Sequence, residues 1–102
     1  MRIKAFVRDG NLEKYTFFDG HELQYDCDTK TLKLLENGKL VWKGNLDSED
    51  DLLSFKRQFY DLVLAVYEEF EGVKTAKLRN ELSKIVPKRF EVIKYRPCPC
   101  GG

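Results

Sequence analysis

Up to Gly44 the apolar positions recur mostly at every second residue, and after it they recur at steps of three and four. The first period is that of a half-buried strand and the second that of a helix. Ile3, Ala5 and Val7 share one face of a strand over 3–7, with Arg2, Lys4 and Arg8 opposite and Phe6 out of step. Asp9-Gly10-Asn11 is turn chemistry, and 12–18 is the returning strand. A two-residue loop would pair Ile3 with Thr16 and Ala5 with Lys14, mixing the faces. A three-residue loop with a left-handed Gly pairs Ile3 with Phe17 and Ala5 with Tyr15 and keeps one face apolar.

Asp19-Gly20 is a second turn, and a third strand over 22–27 places Leu23, Tyr25 and Cys27 on the face of Tyr15 and Phe17. After Asp28-Thr29-Lys30, strands 31–36 and 39–43 form a hairpin joined by Asn37-Gly38, the strongest short hairpin signal. The expected register sets Leu34 against Val41 and Leu35 against Leu40. Leu32, Leu34 and Val41 then share one face, with Leu35, Leu40 and Trp42 on the other.

Residues 48–72 read as one long amphipathic helix, capped by Asp47 or Ser48 and stopped by Gly72. Glu49, Asp50 and Asp51 fill its first turn, where the helix dipole favours acids. Leu52, Phe55, Phe59, Leu62, Val66 and Phe70 form the main stripe, with Phe59 and Leu62 expected at its buried centre. Leu53, Tyr60, Val63, Leu64 and Tyr67 widen it until little of the circumference is polar. A short helix over 75–86, capped by Thr75 and ended by Pro87, follows with Leu78, Leu82 and Ile85 as its stripe. A last strand over 89–96 and a tail over 97–102 complete the chain.

The expected fold is α+β: an antiparallel β-meander of about five strands over 2–44 packed on one long helix, then a short helix and a final strand. A chain of 102 residues is expected to be a single domain, 1–102, large enough to build a core without disulfides. No apolar run approaches the roughly 20 residues that span a bilayer, and the start lacks a signal-peptide core. With three cysteines and no disulfide framework, a cytoplasmic protein with no membrane association is expected. The 34% charged residues, two Gln and one Met lean towards the composition of a thermophile.

Net charge is only +1, yet charge is segregated. Residues 45–72 hold eight acids and residues 73–96 hold eight bases. One expectation is a phosphate-binding surface built from Lys77, Arg79, Lys84, Lys88, Arg89, Lys94 and Arg96. The blander one is that the acidic helix end and the basic helix neutralise each other across a helical hairpin.

Cys98-Pro99-Cys100 resembles half of a zinc knuckle, which makes Cys98 and Cys100 weak metal candidates. The other donors, His21 and Cys27, stand about 20 Å apart along a strand and cannot serve one site together. Neither a metal nor any other cofactor is therefore expected. The ending Gly101-Gly102, after a strand and with a hairpin at the N-terminus, resembles the ubiquitin-like sulfur carriers, whose C-terminal glycine is activated. In that family the helix follows the first hairpin directly, whereas here three further strands intervene, and the two cysteines lie outside its pattern.

For catalysis, His21 stands beside a turn with no nucleophile placed near it, and Asp26 and Asp28 flanking Cys27 read as a solvated turn. The chain is therefore expected to be a non-enzymatic binding or scaffolding domain working through protein–protein contacts, self-association included. Its surplus of aromatics points to Trp42, Tyr60, Leu64 and Tyr67 as partner-binding residues. The partner is another protein chain, in one version forming a homodimer, with nucleic acid as the alternative.

Overall fold

The computed structural model describes residues 2–86. Five strands, β1 (Ile3–Asp9), β2 (Leu12–Phe17), β3 (His21–Asp26), β4 (Thr31–Glu36) and β5 (Lys39–Asn45), form one antiparallel sheet in chain order. Three helices follow: α1 (Glu49–Gln58), α2 (Tyr60–Glu69) and α3 (Lys77–Leu82). The class is α+β, and the helices cover one face of the sheet. Along β2 the alternation buries Glu13, Tyr15 and Phe17 and turns Leu12, Lys14 and Thr16 outward. Leu23 and Tyr25 on β3 and Leu32 and Leu34 on β4 continue the inner face. The expected last strand over 89–96 lies outside the described residues, as does the tail. Among the described residues, no helix is long and apolar enough to cross a membrane.

Two bulges correct the expected registers. Ile3 does stand opposite Phe17, but Ala5 meets Thr16 and Phe6 meets Tyr15, because the ladder shifts between Ile3 and Ala5. The loop is the two residues after Asp9, with Gly10 at φ 59°. Phe6, not Val7, therefore turns inward, where its ring lies 4.9 Å from Tyr15 and 5.2 Å from Phe70. On the other edge Leu35 meets Leu40 as expected, but a shift leaves Val41 over and sets Leu34 against Trp42. The indole is thereby delivered to the helix face, 5.0 Å from Phe55, while Leu40 and Val41 face solvent. Each edge strand thus carries a bulge and flanking Lys or Arg, which blunts edge-to-edge pairing. Asn37 and Gly38 take φ values of 50° and 85°, the positive pair a type I′ turn requires.

The single long helix does not form. Phe59 leaves helical geometry at φ −132° and ψ 46°, and α2 begins at the next residue. Neither Gly nor Pro marks this break. Its cause is the sheet. Adjacent strands twist by roughly 20–25°, so β1 and β5 differ in direction by something like 80–100°. α1 packs along β5 through Phe55 on Trp42, and α2 reaches β1 through Phe70 on Phe6. One straight helix cannot follow both edges, and the break redirects the second half. The backbone ladder still runs through it, Phe59 N–H donating to Phe55 and Val63 N–H to Phe59. Leu62 is buried as expected, whereas Phe59 is half-buried at the hinge.

Ser48 is the cap of α1, its Oγ accepting from the Asp51 amide at 3.3 Å, and Asp51 in turn accepts from the Asn45 amide at 2.9 Å. Gly72 sits at φ 82°, the left-handed stop after α2. The short helix is shorter than expected, and Thr75 does not cap it. Position 76 is the N-cap, an alanine with no side chain able to accept. The capping oxygens come from Glu13, in the middle of the sheet.

Candidate functional site

The solvent side of α1 carries Leu53, the one exposed large apolar side chain on a helix among the described residues. Leu52 and Phe55 turn to the core, which leaves Leu53 exposed on the opposite side. Glu49 and Asp50 lie a turn before it and Lys56 and Arg57 a turn after it, so at 100° per residue all five fall on one stripe. The break at Phe59 then swings Tyr60 alongside. Leu53, Lys56, Arg57 and Tyr60 line an open groove of about 460 Å³. Among the described residues Glu49, Asp50, Lys56 and Arg57 make no ion pair.

Of the four residues expected to bind a partner, Tyr60 is the one on this groove. Trp42 is half-buried against Phe55, and Leu64 is half-buried against the core. Tyr67 is covered by the Arg79 guanidinium, 4.1 Å from its ring centre. Among the described residues the exposed large apolar side chains are instead Val7, Phe18, Leu40, Val41, Leu53 and Val73. Leu53 appeared in the sequence only as part of a widened stripe. The signal that singles it out is its place between two acids and two bases on one face.

A second recess, of about 270 Å³, runs along the helix break and is lined by His21, Arg57, Gln58, Phe59, Tyr60, Asp61 and Leu62. His21 Nδ1 lies 2.7 Å from Asp19 Oδ2, and the His21 amide donates to Asp19 Oδ1 at 3.0 Å. Slight burial alone would raise the Asp19 carboxyl, but these hydrogen bonds from His21 hold it below the ordinary carboxylate range. Such a pair orients an imidazole, yet among the described residues no Ser, Thr or Cys lines the recess to serve as nucleophile.

Glu13 is the one fully buried charged residue among those described. Its Oε1 accepts from the Tyr15 hydroxyl at 2.8 Å and the Leu78 amide at 3.0 Å, and its Oε2 from the Lys77 amide at 2.8 Å. Arg8 stands 3.9 Å away and donates to the Thr75 carbonyl at 2.8 Å. The alternation Glu13, Tyr15, Phe17 places this carboxylate on the core face, and that is the signal by which the sequence carries it. Cys27 lies close by. Burial pushes its thiol up, and the charge of Glu13 pushes it further, which makes it a poor nucleophile at neutral pH.

The basic stretch is only partly free. Lys77 is exposed. Arg79 donates to the Tyr67 carbonyl at 3.1 Å, near the C-terminus of α2 where a cation suits the dipole. Lys84 pairs with Glu81 at 2.8 Å, and Glu81 also faces Lys30 at 3.4 Å. Neutralisation across the hairpin thus runs through a backbone carbonyl rather than through Glu68 or Glu71. Glu69 accepts the Ile3 amide at 3.0 Å. Lys88, Arg89, Lys94 and Arg96 lie outside the described residues, as do Cys98 and Cys100. Among the described residues no three His, Cys, Asp or Glu side chains converge to hold a metal ion. On the outer sheet face, Lys33 and Lys43 stand directly opposite each other, and Lys14 joins their row through Gln24.

No protein-family model, curated protein or solved structure matches the chain.

Proposed function

We propose that this is a non-enzymatic cytoplasmic domain that works by binding another protein chain, with the solvent side of α1 and the start of α2 as the contact surface. The observation that carries this reading is Leu53, an apolar side chain 41% exposed on a groove it shares with Tyr60 and two cations, Lys56 and Arg57, that make no ion pair among the described residues. Apolar groups rimmed by charge are how protein-binding patches are commonly built. The unpaired thiol of Cys27 fits a reducing compartment. The nucleic-acid alternative has less support, since Arg79 and Lys84 are engaged within the domain.

A photo-reactive phenylalanine analogue placed at position 53, and separately at position 33 on the outer sheet face, tests this in cells. A discrete protein adduct from position 53 and none from position 33 is the expected result. No adduct, or equal labelling from both positions, would overturn the reading. An adduct lost on nuclease treatment would favour the nucleic-acid alternative.

A further inference from the structure

Resting on that reading of the α1 surface, we infer that the partner is a second copy of this chain, docked with its α1 antiparallel across a two-fold axis at Leu53. The charges on the stripe are arranged symmetrically about this residue. Glu49 stands four residues before Leu53 and Arg57 four after it; Asp50 stands three before and Lys56 three after. Two such helices laid antiparallel bring each Glu49 beside the other copy's Lys56 and each Asp50 beside the other's Arg57. The rotations agree as well as the heights. At 100° per residue, Glu49 and Lys56 lie on one flank of Leu53, about 40° and 60° round, and Asp50 and Arg57 on the other, about 60° and 40° round. The two-fold axis exchanges the helix ends and keeps each flank against its own counterpart, so each acid meets a base of the other copy on the same flank, within ~1.5 Å of its height. This is what an isologous contact demands: one patch complementary to itself.

Within one chain these four charges have no partner among the described residues, because Leu53 separates the acids from the bases. Asp51, the remaining acid of the first turn, is held by the Asn45 amide and takes no part. The antiparallel arrangement also sets opposite helix-dipole ends side by side. Leu53 meets its own copy at the centre and is shielded by the Tyr60 side of each groove. The exposed charge pairs fix register and orientation more than affinity. A ten-residue helix is about 15 Å long, so the contact falls below the area of a standard stable interface and the dimer is a weak, concentration-dependent one.

Sedimentation equilibrium of the full chain from about 10 µM to 1 mM reads this directly. The mass should rise from 12.0 kDa towards twice that value, and less steeply in high salt. Arg57→Glu should weaken association at least tenfold, as should Asp50→Arg, with the far-UV spectrum unchanged because both side chains are exposed. Mixed in equal amounts, the two variants should dimerise with each other, since each supplies the charges the other lacks. The double variant, which keeps the wild-type net charge, should recover association to within about threefold. A wild-type chain that stays monomeric at 1 mM overturns the inference, as does dimerisation indifferent to both swaps. A position-53 adduct whose mass is not that of two copies would also overturn it while leaving the protein-binding reading intact.

Discussion

Glu13 and Lys77 lie 64 residues apart in sequence, yet the carboxylate of the first accepts the backbone N–H of the second at 2.8 Å. A strand residue thus caps the helix that closes the core, replacing the side chain that Ala76 does not have. The same carboxylate takes the Leu78 amide and the Tyr15 hydroxyl, so it ties β2 to α3 through three donors. Glu13→Ala would leave those donors buried without an acceptor, and about 3–5 kcal/mol of stability should be lost. Glu13→Gln keeps one acceptor oxygen and should cost roughly 1–2 kcal/mol less. Hydrogen exchange should show the Lys77 and Leu78 amides losing protection first. An alanine variant with wild-type melting would mean that α3 is held by Leu78 and Leu82 alone.

The parts of the fold that were legible in the sequence are those set by local chemistry. Asn37-Gly38 specifies its turn because few residues accept positive φ twice in succession, and Ser48 and Gly72 mark helix ends for equally local reasons. What was not legible depends on partners far along the chain. Phe6 looked out of step because a bulge in its own strand cannot be seen from alternation alone. Alternation alone puts Trp42 on the wrong face for the same reason on the opposite edge. Phe59 carries no break signal, since the twist of a sheet built from other residues sets where the helix must bend. The stripe on α1 is intermediate. Its charges are plain in the sequence, but their symmetry about Leu53 has meaning only because Leu52 and Phe55 point inward.

The Asn37-Gly38 turn gives a prediction in which backbone strain is separated from contact. A side chain at Gly38 would meet no atom within 4 Å, so any cost arises from its φ of 85°. Gly38→Val should destabilise by about 1–3 kcal/mol, because a β-branched residue resists this region. Gly38→Asn, which tolerates left-handed geometry, should recover most of that loss. Urea denaturation of the two variants checks the ordering. Equal midpoints for Val and Gly would show that the turn relaxes without cost.

Gly44 tests the seat of the single tryptophan. A methyl group there would run into the Trp42 ring and would lie 3.2 Å from the Asp51 β-carbon. The indole, packed 5.0 Å from Phe55, would have to leave its place between β5 and α1. Gly44→Ala should therefore cost about 1–3 kcal/mol, as overpacking of a filled site does. Because Trp42 is the one tryptophan, its emission should shift to longer wavelength in the folded variant. Unchanged emission and stability would place the indole elsewhere.

The alkaline limb of stability should be steep, and Tyr15 and Tyr25 are the reason. Both are buried in the core. Burial pushes both phenols well above their ordinary range, and the charge of Glu13 adds to this at Tyr15 and that of Glu81 at Tyr25. A group whose pKa is raised on folding binds its proton more tightly in the native state. Its contribution is fully present below the unfolded value near pH 10 and is lost as pH rises above it. Each phenol should then remove about 1.4 kcal/mol of stability per pH unit, and the two together about twice that. Urea midpoints measured at pH 8, 10 and 11 should fall accordingly. Tyr15→Phe should roughly halve the slope above pH 10, although the loss of its hydrogen bond to Glu13 lowers stability at pH 8. In a pH titration the phenolate absorbance of these two residues should appear together with the loss of far-UV structure. Complete ionisation with the sheet still intact would show that solvent reaches both hydroxyls in the folded state.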